Sequence, residues 1–167
     1  MPEIPATTQD PETQALEDAV DAPGDAPRVG IIVGAKDDLP AMEQAGEVLE
    51  RHRVAYETRV MSPHRDPALV ADYCRNARLR GLRVIIAGAG LSAALPGIAA
   101  SHTDLPVIGV PLSGRGSVAG GLDAILSIVQ MPAGAPVAAV GLDNPRSAAH
   151  LAIRILNRGD GGAAVPA

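Results

Sequence analysis

Val29-Gly30-Ile31-Ile32-Val33, closed by Gly34, is an apolar run rich in β-branched residues. No polar residue alternates with the apolar ones, so the run predicts a strand covered on both faces, as in an all-parallel sheet. Gly34-Ala35-Lys36-Asp37-Asp38-Leu39-Pro40 follows and leads into a helical pattern over residues 41–51. Asp38 is placed to cap that helix, with Pro40 tolerated in its first turn.

The same alternation of strand and helix continues along the chain. Tyr56 to Met61 reads as a second strand, Leu82-Arg83-Val84-Ile85-Ile86-Ala87 as a third, Val107-Ile108-Gly109-Val110 as a fourth and Val137-Ala138-Ala139-Val140 as a fifth. Helical spacing recurs over residues 68–78, 122–130 and 145–157. Residues 122–130 are so apolar that the segment is expected to be buried. Together these elements predict an α/β domain over residues 28–158. The expected form is a three-layer αβα sandwich around an open parallel five-stranded sheet, flavodoxin- or Rossmann-like, with right-handed crossovers. Ligands of such sheets bind beyond the carboxyl ends of the strands, near the point where strand order reverses. The polar or glycine-rich segments after the first four strands all fall there, which predicts one small-molecule pocket. Ser62-Pro63-His64-Arg65-Asp66-Pro67 is the most polar of them. It offers a hydroxyl, an imidazole that ordinarily titrates near about pH 6.5, and a guanidinium fork for an oxyanion.

Composition excludes several other functions. The chain has 167 residues and is 47 % apolar, yet it has no Phe or Trp and only two Tyr, so stacking platforms for nucleic-acid bases are missing. The net charge of −5 is concentrated at one end: residues 1–27 hold seven acids, no Lys or Arg, and five of the fifteen prolines. They read as a disordered acidic leader. The remainder has 12 acids against 14 bases and shows no basic stripe. No apolar run reaches membrane-spanning length and no secretory signal is present, so neither nucleic acid nor a membrane is an expected partner and a cytoplasmic location is expected. Cys74, the single cysteine, lies in a predicted helix and reads as a buried, inert thiol, and no metal-ligand spacing is seen. Residues 159–167 read as a flexible tail.

With these segments in view, the chain resembles the class I 5-aminoimidazole ribonucleotide carboxylases of purine biosynthesis, which act as mutases on N5-carboxyaminoimidazole ribonucleotide. The likeness runs from about Val29 to Leu156. It rests on Ser62-Pro63-His64-Arg65, Val84-Ile85-Ile86-Ala87-Gly88-Ala89-Gly90, Leu105-Pro106-Val107-Ile108-Gly109-Val110-Pro111 and Ser127-Ile128-Val129-Gln130-Met131-Pro132-Ala133-Gly134. The resemblance implies transfer of a carboxylate from the exocyclic nitrogen to a ring carbon through carbon dioxide, without metal or other cofactor. It implies His64 as general acid and base, Ser62 and Arg65 on the substrate phosphate, and Asp38 on the ribose. Gly88, Ala89 and Gly90 would line the pocket with backbone, and the protein would be a homo-oligomer.

This chain departs from the family pattern in three places. The first loop has Ala35 and Asp37 where the family has hydroxyls, and a carboxylate at 37 repels a phosphate unless Lys36 compensates. The glycine loop continues Leu91-Ser92-Ala93-Ala94, with Leu91 in place of glycine and Ala94 in place of a histidine. Family chains also usually continue with a further helix, packed between subunits, beyond the position of Leu156. These changes keep two alternatives open. One is a diverged relative acting on another heterocyclic acid, possibly without a 5′-phosphate; the other is a non-catalytic binding subunit. Arg115 and Ser113 are further candidates to touch a ligand, Arg115 by taking over the phosphate binding that the altered first loop no longer offers. Ser92 is a candidate ligand contact, its hydroxyl near the position of the missing histidine, and reads more simply as a small residue at a helix start. His52 and His102 read as helix-end residues, and His150 as a helix-surface residue.

Overall fold

β1 (Val29–Val33) is fully buried along its length, as its unbroken apolar run predicts. The computed structural model describes residues 26–159, so the expected leader and tail lie outside the described residues apart from Ala26, Pro27 and Gly159. β1 pairs in parallel with β2 (Tyr56–Val60) on one side and β3 (Val84–Gly90) on the other. β3 pairs with β4 (Val107–Leu112), and β4 with the two-residue β5 (Ala138–Ala139). The order β2-β1-β3-β4-β5 is all parallel, and it reverses between β1 and β3. This is the flavodoxin-like order, one of the two forms of open parallel sheet expected from the sequence.

Side chains alternate across the sheet and divide the core in two. Val29, Ile31, Val33, Val84, Ile86, Ile108 and Val110 face α1 (Leu39–Arg51) and α5 (Pro145–Gly159). Ile32, Ile85, Ala87, Ala89 and Val107 face α2 (Pro67–Asn76), α3 (Ala94–Ser101) and α4 (Leu122–Val129). Each fully buried Ile or Leu contributes about 1.5–3 kcal/mol.

Several boundaries differ from the sequence reading. β3 runs on through Gly88, Ala89 and Gly90, because Val33 pairs with Gly88 on one side and Val110 to Leu112 pair along the other. The glycines therefore belong to the sheet and not to a loop. β4 includes Pro111, which lies beyond the last pair with β5, where no outer ladder needs its missing N–H. β5 is shorter than Val137 to Val140 for the same reason: only Ile108 and Gly109 face it. The α4 expectation is overturned. Only Ala124 and Ile128 of α4 are buried, while Leu122, Leu126 and Val129 stand 46–49 % exposed on its outer face. Asp38 precedes α1, but its side chain makes no capping hydrogen bond. It closes a 3₁₀ turn (Lys36–Asp38) that already orients the chain.

Glu57 on β2 is the one buried charged side chain among the described residues, at 1 % exposure. The Tyr73 hydroxyl donates to it at 2.8 Å, Arg59 at 3.0 Å, and Arg80 donates to both of its oxygens. Arg80 also sits over the Tyr73 ring, 5.0 Å from its centroid. Tyr73 reaches Glu57 only because residue 30 has no side chain: a Cβ on Gly30 would lie 2.4 Å from the tyrosine oxygen. Gly30→Ala is therefore expected to destabilise the protein by about 1–3 kcal/mol. In a Tyr73→Phe background the same change should cost clearly less, since the nearest atom is gone. Urea unfolding of the four proteins checks this, and additive costs would refute the packing account.

Candidate functional site

A cleft of about 670 Å³ opens at the carboxyl ends of β1 to β4, across the point where strand order reverses. Four segments wall it. Gly34, Ala35, Asp37 and Asp38 come from the first loop, and Ser62, Pro63, His64 and Arg65 from the second. The third wall runs from Ala89 to Leu95, and the fourth holds Ser113, Gly114, Arg115 and Ser117. The structure thus brings together every candidate read from the sequence except Gly88. Gly88 is not among the lining residues; it faces inward, where a Cβ would meet Met42 Sδ at 2.7 Å.

The second wall is a tight turn. Arg65 and Asp66 N–H groups donate to the Ser62 carbonyl at 3.2 and 2.9 Å. Asp66 then caps α2 by accepting from the Leu69 N–H at 2.9 Å, with Pro67 in the first helical turn. The turn presents His64 and Arg65 outward while Pro63 is buried beneath them. The Arg65 guanidinium donates to the Gly34 carbonyl at 3.0 Å, which ties the first two walls together.

In the first wall Asp38 is half-buried. Desolvation raises its pKa above the ordinary 3.8, a hydrogen bond to the Ala35 backbone pulls it down, and the nearby Asp37 carboxylate raises it further. The third wall is backbone and small side chains apart from Leu91 and Leu95. Leu91 and Ala93 hold left-handed conformations (φ 54 and 34), at a cost of about 1–2 kcal/mol for each L residue. Leu91 is half-exposed and reaches the fourth wall, since a Cβ at Gly116 would lie 3.8 Å from its Cδ2. Ser92 does not cap α3: the N-cap is Ala93, and no side chain serves the helix start.

The other histidines and the cysteine lie elsewhere. His102 ends α3 beside Arg75, Ser101, Thr103 and Asp104, in a shallow depression apart from the cleft. His52 ends α1 and packs edge-on against His150 of α5, ring centroids 5.7 Å apart. Cys74 is buried in α2, and desolvation pushes its thiol up to about 11. Among the described residues no three His, Cys, Asp or Glu side chains cluster as metal ligands would, and no helix is long and apolar enough to cross a membrane. Sequence reasoning missed Asp143. It sits in a turn before α5 and holds Ser113 of the fourth wall through both carboxylate oxygens. Its neighbours Asn144 and Pro145 made the segment read as a helix start only.

This fold defines a doubly wound α/β protein with a cleft at its topological switch point. Comparison with known proteins narrows the class. Residues 28–164 match the family model for AIR carboxylase. The chain is 53 % identical over 131 residues to a Pyrococcus abyssi protein named N5-carboxyaminoimidazole ribonucleotide mutase, covering 78 % of this chain and 74 % of that one. A Thermotoga maritima protein of the same name is 53 % identical over 130 residues, covering 78 % and 75 %. A crystal structure of Treponema denticola PurE superposes with a TM-score of 0.71 at 28 % identity, covering 81 % of this chain and 83 % of that one. The chain belongs to the AIR carboxylase family.

The raised pKa of Asp38 makes a stability prediction. The folded state holds the proton more tightly than the unfolded one, so this group's contribution to stability falls as pH rises from the ordinary aspartate range through the raised value. Asp38→Asn should therefore raise the melting temperature at pH 7. The gain should shrink as the pH falls toward 3.8, where the unfolded carboxyl also takes up its proton. Thermal unfolding at several pH values checks the sign; a gain independent of pH would point to packing instead.

Proposed function

We propose that this protein interconverts N5-carboxyaminoimidazole ribonucleotide and 4-carboxy-5-aminoimidazole ribonucleotide, the reaction named for its relatives. The observation that carries the reading is the meeting of His64, Ser62 and Arg65 with the backbone-lined third wall in one cleft. On this reading Ser62 and Arg65 hold the phosphate and Asp38 the ribose. The ring lies along Ala89, Gly90 and Leu91.

His64 starts protonated and gives its proton to the exocyclic nitrogen as the N–C bond of the carbamate breaks. Carbon dioxide and the neutral amine remain in the cleft. The ring carbon then attacks carbon dioxide, forming the new C–C bond and leaving that carbon with both a hydrogen and a carboxylate. His64, now neutral, removes the hydrogen as a proton and restores the aromatic ring. The cycle is balanced: one bond breaks, one forms, and the imidazolium is regenerated. No hydrogen bond fixes the exposed His64 ring among the described residues, which leaves it free to serve both positions. Ala89, Gly90, Ala93 and Ala94 in the third wall present no nucleophilic side chain to the transient carbon dioxide.

The reading extends to self-association. The outer stripe of Leu122, Leu126 and Val129 on α4, with exposed Val118 before it, supports the homo-oligomer that the resemblance implies.

His64→Asn should bind the nucleotides and fold as wild type does but lose at least about 10³-fold in turnover, as loss of an acid–base group does. Ring absorbance followed in both directions reads the rate. Turnover by the variant within tenfold of wild type would remove His64 from the mechanism.

A further inference from the structure

The cleft carries a guanidinium on each of its two outer walls. Sheet order fixes the lateral sequence of the walls as the loop after β2, then β1, then β3, then β4. Arg65 and Arg115 therefore stand on loops three strand spacings apart, about 14 Å at about 4.8 Å per spacing. Arg65 is engaged with the Gly34 carbonyl at 3.0 Å. Arg115 lines the cleft without a hydrogen bond or ion pair among the described residues, and no other cationic side chain comes from the third or fourth wall.

The loop that carries Arg115 is fastened at both ends. The Ser113 N–H and hydroxyl donate to the two oxygens of Asp143 at 2.8 and 2.5 Å. The Asp143 N–H in turn donates to the Pro111 carbonyl at 2.9 Å. Asp143 does this with φ 51, a conformation that non-glycine residues seldom adopt. Further along, the Gly114 N–H donates to Ser117 Oγ and the Val118 N–H to Asp123 Oδ2, each at 2.9 Å. Gly114, Arg115 and Ser117 are thus presented to the cleft by a loop that side chains from two other segments hold.

Resting on the carboxylate-transfer reading, we infer that Arg115 receives the substrate's carboxylate, with Asp143 as the positioning residue that keeps it there. The two anionic groups of a carboxyaminoimidazole ribonucleotide lie at opposite ends of the molecule, phosphate on the ribose and carboxylate on the ring. With phosphate at the Arg65 wall, ribose at Asp38 and ring along β3, the carboxylate falls at the β4 wall. A guanidinium matches a carboxylate as a planar fork. This placement assigns Arg115 to the end opposite the phosphate and sets aside the expectation that it supplements phosphate binding.

The test is calorimetric affinity for 4-carboxy-5-aminoimidazole ribonucleotide and for 5-aminoimidazole ribonucleotide, which differ only in the carboxylate. Wild type should prefer the first. Arg115→Ala should weaken the carboxylated ligand about 10- to 100-fold and leave the other within about twofold. Asp143→Ala should reproduce a smaller part of that selective loss, Asp143→Asn should restore some of it, and the Arg115→Ala/Asp143→Ala double variant should be no worse than Arg115→Ala alone. Equal losses for both ligands in Arg115→Ala would overturn the inference, as would the absence of any preference in wild type. Fully additive effects in the double variant, or undiminished preference in both Asp143 variants, would remove Asp143 from the role. Turnover is measured beside affinity. Carboxylate preference that depends on Arg115 without turnover would defeat the mutase reading alone, and turnover with preference indifferent to Arg115 would defeat this inference alone.

Discussion

Close seating of helices on the sheet is the constraint on which the rest of this structure depends. Three strands leave a gap at one position each, and a large side chain from a helix fills it: Tyr73 over Gly30, Met42 over Gly88 and Ile128 over Gly109. A Cβ at Gly109 would lie 2.6 Å from Ile128 Cγ2, and one at Gly88 would lie 2.7 Å from Met42 Sδ, so no side chain larger than hydrogen fits without movement. A chain without Phe or Trp has few bulky residues to spread between layers. It compensates by bringing the layers together, and the loops at the strand ends inherit that fixed geometry. The cleft is defined because the helices that flank it cannot drift.

Polar interactions are divided between the two ends of the sheet. Glu57, Tyr73, Arg80 and Arg59 form a satisfied cluster on the edge strand β2, where charged side chains also discourage pairing with another strand. The opposite edge is protected by brevity, since β5 has two residues. At the cleft the pattern inverts. His64, Arg65, Asp37 and Arg115 are exposed, and only Arg65 among them has its side chain in a hydrogen bond within the described residues. Side chains that face the cleft are left accessible, and groups that hold the fold are saturated.

The sequence disclosed the sheet and most of the cleft because both depend on local signals. Unbroken apolar runs marked β1, β3 and β4, and polar or glycine-rich segments after them marked the walls. What it did not disclose depends on pairing between distant segments. Gly88 to Gly90 read as a loop because glycine is a turn signal, yet neighbours on both sides draw them into β3. Gly88 therefore packs inward where a lining residue was expected. The apolar run of α4 read as buried because hydropathy alone does not say how many faces a helix has covered. Asp143 was invisible as a contributor to the site because its partner Ser113 lies 30 residues away.

The fastening of the fourth wall also bears on how this fold can change. Closing a loop costs little more as it lengthens, about 0.6 kcal/mol for each doubling, provided its ends are already held. Here Asp143 and Asp123 hold the ends by side chains that belong to other segments, so Gly114, Arg115 and Gly116 are free of any duty to the core. Substituting Arg115 or lengthening the tip leaves the sheet, the His64 turn and the packing over the strand glycines untouched, whereas Gly116, at φ 89, resists a side chain. The tip is a replaceable cassette, free to vary while the three other walls of the cleft keep their geometry.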